Sequence, residues 1–289
     1  MTEKRMLLSF AHPDDESFGM AGTIARYAAE GTEVYLICST NGDVGSAEPQ
    51  FMEGFDTPGQ MRLAELDCAA KTLGIKQVFA WGYRDSGMVG MPENEHPDCL
   101  VQANGDEVVA KIVEAIRRVR PQVVVTFDPY GGYGHPDHLV MHHATTQAFH
   151  AASDSSQYPD QLANGLEPYK PEKLYYRTNR RGVLKARIAM MRLQGQEPER
   201  VGRNKEIDLT EIAAHAYPIH AVVKTQQYRE VAEQARQCHA SQIYNFGRPG
   251  IWDRVARFLY GNTDTFMRVE PPVNGNSIHE SDLFSGLSI

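Results

Sequence analysis

The feature that most constrains this chain is an alternation in its first half, where short apolar runs of strand length are each followed by a segment with helical spacing. Met6–Ala11 (MLLSFA), Val34–Thr40 (VYLICST), Gln77–Tyr83 and Val123–Phe127 (VVVTF) are the strand-like runs. Between them lie Phe18–Glu30 closed by Gly31, Met61–Leu73 stopped by Gly74, and the amphipathic Asp106–Arg120 closed by Pro121. Val123–Phe127 is β-branched without polar alternation, the pattern of a strand covered on both faces. Strands separated by helices imply βαβ units with right-handed crossovers. The expected fold class is therefore α/β: a Rossmann-like, doubly wound, mostly parallel sheet with helices on both faces. No G-x-G-x-x-G turn follows the first strand, which demotes a dinucleotide-binding oxidoreductase. In such sheets the ligand crevice lies at the carboxyl ends of the strands, where the strand order reverses.

The second half is less regular. Lys173–Thr178 (KLYYRT) reads as a fifth strand, Ser153–Pro171 and Gln194–Asn204 as polar loops, and Lys224–Ala240 as a helix running into His239-Ala240-Ser241-Gln242. From about Glu270 the chain is rich in Pro, Asn and Ser and reads as a loosely packed tail. The 289 residues are expected to form a single domain, with a core over about 5–180, a capping region over about 181–265 and a tail over 266–289. A net charge of −8 argues against phosphate-backbone binding, while an anionic substrate stays open because a local arginine can override the global balance. The N-terminal apolar run, about six residues, is too short for a signal peptide or a membrane span, so a cytoplasmic protein without membrane partners is expected. Four scattered cysteines, Cys38, Cys68, Cys99 and Cys238, are expected to be reduced and mostly buried.

Two motifs carry the chemistry. Directly after the first strand comes Ala11-His12-Pro13-Asp14-Asp15-Glu16, and directly after the fourth comes Asp128-Pro129-Tyr130-Gly131-Gly132-Tyr133-Gly134-His135-Pro136-Asp137-His138. These strands would be neighbours at the switch point, so both loops face one crevice. Neutral imidazoles with a carboxylate suit a hydrolytic zinc or iron(II) ion and leave a position for water. Of two adjacent carboxylates, one can bind metal while its neighbour serves as base. A second His-Pro-Asp at His96-Pro97-Asp98 follows no strand and reads as a loop. His138 and His142 stand four apart, but Leu139 occupies the place where a zincin needs Glu, so His142 and His143 read as supporting or surface residues.

At these residues the chain resembles the LmbE/PIG-L family of metal-dependent N-acetylglucosaminide deacetylases, whose signature is AHPDDE plus HPDH. Arg62-x-x-Glu65, Tyr83-Arg84-Asp85-Ser86-Gly87-Met88 and His239-Ala240-Ser241-Gln242 extend the likeness over most of residues 5–245. It is nearest to the deacetylases that make glucosamine precursors of mycothiol and bacillithiol. The resemblance implies that His12, Asp15 and His138 hold a metal, zinc in the first instance with iron(II) or another divalent ion open. It makes Asp14 the general base, His135 a protonated partner oriented by Asp137, and Tyr133 a donor to the amide carbonyl. Arg62, Asp85 and Asp43 are candidate contacts to the substrate, with Glu16 in support. The expected substrate is a small amino-sugar conjugate, GlcNAc-inositol or GlcNAc-malate like. Amidase action on a bulkier glucosamine-linked acyl group and a non-catalytic sugar- or metal-binding role are the alternatives. The resemblance leaves a homo-oligomer open.

Overall fold

The computed structural model describes residues 3–45, 47–202, 205–245, 262–273, 275 and 277–288. In chain order the elements are β1 (Arg5–Phe10), α1 (Asp15–Ala29), β2 (Glu33–Thr40), α2 (Pro58–Leu73), β3 (Gln77–Tyr83), α3 (Gly105–Val119) and β4 (Val123–Phe127). A single turn, α4 (Gly131–Gly134), leads into α5 (Pro136–Ala151), the short α6 (Pro159–Ala163), β5 (Lys173–Thr178), α7 (Arg181–Leu193) and α8 (Leu209–Ala214). The chain continues through β6 (Ala221–Lys224), α9 (Arg229–Cys238), α10 (Ala240–Asn245) and β7 (Thr263–Glu270).

The seven strands form one sheet in the order β3-β2-β1-β4-β5-β7-β6. Strands β1 to β5 run parallel, and β7 runs antiparallel to both β5 and β6. The order reverses between β1 and β4, so the loops carrying the two motifs leave adjacent strand ends. This is the doubly wound, mostly parallel α/β sheet the alternation predicts. β4 is buried along its whole length, as its unbroken β-branched run requires.

Local signals set the helix ends. Pro58 sits at the first position of α2, the Thr57 hydroxyl accepts from Gln60 N at 3.2 Å, and Gly74 ends the helix at φ 74°. The Asn104 side chain accepts from Asp106 N at 3.0 Å to start α3. α1 begins at Asp15, earlier than the apolar spacing suggests, because Ser17 N and Phe18 N both donate to the Asp14 carbonyl. Among the described residues no helix is long and apolar enough to cross a membrane.

Three findings depart from expectation. Where it is described, the stretch 266–289 is not a loose tail. Phe266 lies in β7 between two other strands, and Leu283 and Phe284 are buried in the main core. Glu280 misleads because it is buried among partners that satisfy its charge. Lys173 Nζ contacts Glu280 Oε1 at 2.6 Å and the Ser285 carbonyl at 2.6 Å. Tyr175 Oη donates to Glu280 Oε2 at 2.6 Å, and Arg268 Nη1 to Glu280 Oε1 at 2.7 Å. Second, two cysteines are not free thiols. Cys68 on α2 and Cys238 at the end of α9, 170 residues apart in sequence, form a disulfide, while Cys38 and Cys99 are free and buried. Their spacing carries no motif, so only the packing of α2 on α9 brings them together. Third, within 224–240 the helix is confined to α9; Ala221–Lys224 is a strand, separated from α9 by a turn at Gln226–Tyr228. Of the remaining second-half readings, residues 203–204 and 246–261 lie outside the described residues.

A small second cluster, Ile188, Leu209, Ile212 and Ala213, packs α7 against α8 and takes in Tyr130 and Tyr133 from the loop after β4. The region after β5 thus braces one of the two motif loops.

Breaking the Lys173–Glu280 pair leaves a buried ammonium without its carboxylate. Glu280→Ala is expected to lower unfolding stability by about 3 kcal/mol or more. Glu167→Ala, which removes the exposed partner of Arg120, should cost less than about 1 kcal/mol. Denaturant titration of both variants measures the contrast, and equal losses would show the buried cluster to be incidental.

Candidate metal centre and active site

His12 leaves the end of β1 and His138 lies in the first turn of α5, after the β4 loop. Their rings meet across the switch point with His12 Nδ1 3.0 Å from His138 Nε2. Asp15 closes the group, Oδ2 at 3.6 Å from His12 Nδ1 and Oδ1 at 3.3 Å from His138 Nε2. The far nitrogens fix the tautomers. His138 Nδ1 donates to the Gly131 carbonyl at 2.9 Å, which leaves Nε2 a bare lone pair. Its ring stacks on Phe127, centroids 3.9 Å apart. His12 Nε2 faces Asp137 Oδ2 at 3.1 Å, so its proton belongs there and Nδ1 is the acceptor. Two lone pairs 3.0 Å apart repel unless a cation or a proton sits between them.

The spacing and charge fit a divalent ion. Two ligands about 2.0–2.1 Å from a tetrahedral centre stand about 3.3 Å apart, close to the three separations here. Arg62 lies near Asp14, Asp85 and Asp15, and Asp137 adds a fourth carboxylate beside His12, an excess of negative charge that a cation would offset. Burial opposes charge on Asp15, yet His138 and His12 hold its carboxyl well below the usual range. Burial likewise opposes charge on His12, but Asp85, Asp137 and Asp15 raise its proton affinity well above that of a free imidazole. Other metal-capable groupings share His12: His12, His135 and His138, or His12, Asp85, His135 and Asp137. The second is disfavoured because Asp137 already accepts from Ser86 N at 3.0 Å and Ser86 Oγ at 2.5 Å.

Asp14 stands beside this group in an unusual backbone conformation, φ 131°, a region costing about 1–3 kcal/mol for a residue with a side chain. The surrounding structure holds it there. Arg62 Nη2 donates to Asp14 Oδ2 at 2.8 Å and to the Pro13 carbonyl at 2.6 Å, and Nη1 to the Gly42 carbonyl at 3.2 Å. Asp14 N donates to Glu16 Oε2 at 3.1 Å, and the other Glu16 oxygen pairs with His239 Nε2 at 2.8 Å. Burial, relieved in part by Arg62, raises the Asp14 carboxyl to about 6. That suits a group taking up and releasing protons near neutrality.

The structure brings together nine of the residues singled out from sequence, His12, Asp14, Asp15, Arg62, Asp85, Tyr133, His135, Asp137 and His138, with altered relations among them. Asp137 does not orient His135: its carboxylate is 3.9 Å from His135 Nδ1 and holds His12 instead. His135 Nδ1 accepts the backbone N–H of Asp137 at 3.2 Å, as the cap of α5. Burial and the rings of His12 and His138 push its proton affinity well below that of free imidazole. It is therefore a neutral ring with its proton on Nε2, not an imidazolium, and Asp85 Oδ1 lies 3.8 Å from that atom. Against burial, His12 and His135 hold the Asp85 carboxyl below the usual range. Arg62 is 4% exposed and spends both terminal nitrogens on the protein, so it braces Asp14 instead of reaching out to a sugar. Burial raises the Tyr133 phenol far above its ordinary value, leaving it a donor at neutral pH.

Asp43 lies apart from this group. Its carboxylate packs beside Gly59 at the start of α2 and lines a groove of about 740 Å³ with Trp81, Tyr83 and His96. His142 is buried and donates to the Phe127 carbonyl at 3.0 Å, while His143 is exposed. Sequence reasoning missed the partners that fix the site: Ser86 for Asp137, His239 for Glu16, and Glu65, which accepts from Ser241 N and Oγ at 2.8 Å each. Each belongs to a motif the sequence displayed, but pairing across 51 to 223 residues leaves no local trace.

The family described as PIG-L, GlcNAc-PI de-N-acetylase, matches residues 7–149. A protein of Streptomyces scabiei named 1D-myo-inositol 2-acetamido-2-deoxy-alpha-D-glucopyranoside deacetylase is 36% identical over 296 residues, covering 98% of this chain and 90% of that one. A protein of the same name from Thermobispora bispora is 42% identical over 201 residues, 66% of this chain and 65% of that relative, just short of two thirds of its length. Among solved structures, N,N'-diacetylchitobiose deacetylase from Pyrococcus horikoshii superposes with a TM-score of 0.63 at 19% identity, covering 92% of this chain and 84% of that one, which speaks to the fold. With near-complete coverage of its Streptomyces relative and both motifs intact, the chain belongs to the PIG-L family.

Proposed function

We propose that this protein is a metal-dependent hydrolase that removes the N-acetyl group from an N-acetylglucosamine conjugate, with the inositol-linked conjugate as the favoured substrate. The observation carrying this reading is the convergence of His12 Nδ1, His138 Nε2 and Asp15 on one point beside the raised carboxyl of Asp14. The names of the relatives, at 36% and 42% identity, support the sugar and the inositol.

In this reading His12, Asp15 and His138 hold the ion, zinc in the first instance. Such an ion lowers the proton affinity of a coordinated water and polarises an amide carbonyl. The chain's own residues do the rest. Asp14 takes the proton of the attacking water at Oδ, with Arg62 keeping the carboxylate aimed, and returns it towards the departing nitrogen. Tyr133, held protonated, donates a hydrogen bond to the carbonyl oxygen as charge develops there, and the neutral His135 keeps its Nε2 proton and donates a hydrogen bond to the same developing charge. Asp137 keeps His12 in the tautomer that leaves Nδ1 free.

Acetate release from N-acetylglucosamine, its inositol conjugate and its malate conjugate tests the reading directly. Chelator-sensitive release, fastest from the inositol conjugate, is expected. No release from any of them by metal-loaded protein would sink it. Asp14→Asn keeps a polar side chain that tolerates positive φ, so it should retain metal while turnover falls about 100- to 10,000-fold; unchanged turnover would remove Asp14 as base. Asp137→Asn should weaken metal affinity about 10- to 100-fold by competitive chelation, through loss of the carboxylate behind His12. An unaltered affinity would mean His12 is oriented by something else.

A further inference from the structure

The segment from Lys173 to Gln196 carries seven of the chain's 29 basic residues and no Asp or Glu, in a protein of net charge −8. Its start forms one wall of a small pocket of about 150 Å³ at the carboxyl end of β5, lined by Gly19, Arg177, Thr178, Asn179, Arg180 and Asp264, among others. Neither arginine is paired with a carboxylate within salt-bridge distance among the described residues. Arg177 Nε donates to the Gly19 carbonyl at 3.2 Å, and Arg180 Nη2 to Thr263 Oγ1 at 3.4 Å. The one carboxylate present, Asp264, is engaged by Thr23 N at 3.1 Å and Thr23 Oγ1 at 2.6 Å. Three further features point to a missing acceptor. Thr178 is 2% exposed, yet its buried hydroxyl finds no hydrogen-bond partner among the described residues. The buried Nε of Arg180 is likewise unpartnered. No side chain caps the first turn of the 13-residue α7, which starts here.

Two guanidinium forks, a free hydroxyl and an uncapped helix N-terminus form a donor set for an oxyanion. We infer that this pocket binds a phosphate-class oxyanion, either free phosphate or a phosphoryl group carried by a larger molecule. Nothing in the pocket overlaps the residues proposed for amide hydrolysis, so the inference stands independently of that reading.

The test is titration of inorganic phosphate into the full-length, chelator-treated protein at constant ionic strength, followed by calorimetry and thermal shift. Wild type should show saturable binding and a rise in Tm that chloride does not reproduce. Arg180→Gln should weaken phosphate about tenfold or more, and Thr178→Val by less. Arg192→Gln, which removes a charge at the far end of α7 paired with Glu199, should leave it unchanged. If wild type instead binds only a phosphorylated hexosamine, with the same dependence on Arg180, the group is carried by a larger molecule. No saturable binding of either probe, or binding indifferent to Arg180→Gln, overturns the inference.

Discussion

The site depends on what the two nitrogens of His12 are made to do. One faces Asp137 and Asp85, the other faces His138 and Asp15. Because the buried Asp137 is itself fastened by Ser86, it accepts the hydrogen bond of His12 Nε2–H and leaves Nδ1 as a lone pair. The carbonyl of Gly131 does the same for His138 from the opposite side. Two independently fixed tautomers therefore turn their lone pairs on each other, an arrangement that favours a cation more than any choice of residue types alone would. It requires β1 and β4 to be neighbours in parallel register, which their apolar sequences secure by burying both strands.

Around this pair the fold holds a strained residue in place. Asp14 has no steric reason to adopt φ 131°, so its neighbours must outweigh the preference. The restraints come from α2 through Arg62, from α1 through Glu16, and from the end of α9 through His239. One turn further along α2, Glu65 accepts from Ser241 at the start of α10, and beyond that the Cys68–Cys238 disulfide ties α2 to the end of α9. Contacts spaced along α2 in this way make the carboxylate's position a property of how α2 packs on the end of α9 and the start of α10. Substitutions at that packing surface would reach Asp14 without touching it.

How much of this was legible follows from range. The strands, the switch point and both motifs are written in contiguous residues, so the alternation and AHPDDE with HPDH were enough to bring six of the grouped residues, His12, Asp14, Asp15, His135, Asp137 and His138, to one place. Pairings across long separations were not legible. Asp137 sits two residues from His135 and reads as its partner, but the α5 cap turns the His135 ring so that Nδ1 meets the backbone, and the carboxylate reaches His12 instead. Arg62 reads as a solvated helical arginine or a ligand contact, whereas burial beside Asp14 spends its donors on the protein. The end of the chain misleads for another reason. Lys173, Arg268 and Glu280 look like surface residues singly, and only the pairing of β7 with β5 and the packing of the residues after it bring their charges together, with Lys173 and Glu280 buried.

The distribution of charge carries the last step. A chain of net −8 would be expected to repel anions at every face, yet its carboxylates and guanidiniums are segregated locally. Carboxylates crowd the switch point, where a divalent ion would neutralise them, while the run from Lys173 to Gln196 holds basic residues alone. Coulomb interactions fall off within a Debye length of about 8 Å at physiological ionic strength, and buried groups are screened less. Arg177 is near enough to Asp128 to ease the charge on its carboxylate, and Asp128 is near enough to His138 to feel that ring. Asp128, at the end of β4, thus stands between the basic stretch and the metal-competent centre and feels both. Net charge, summed over the chain, says little about the field at either place.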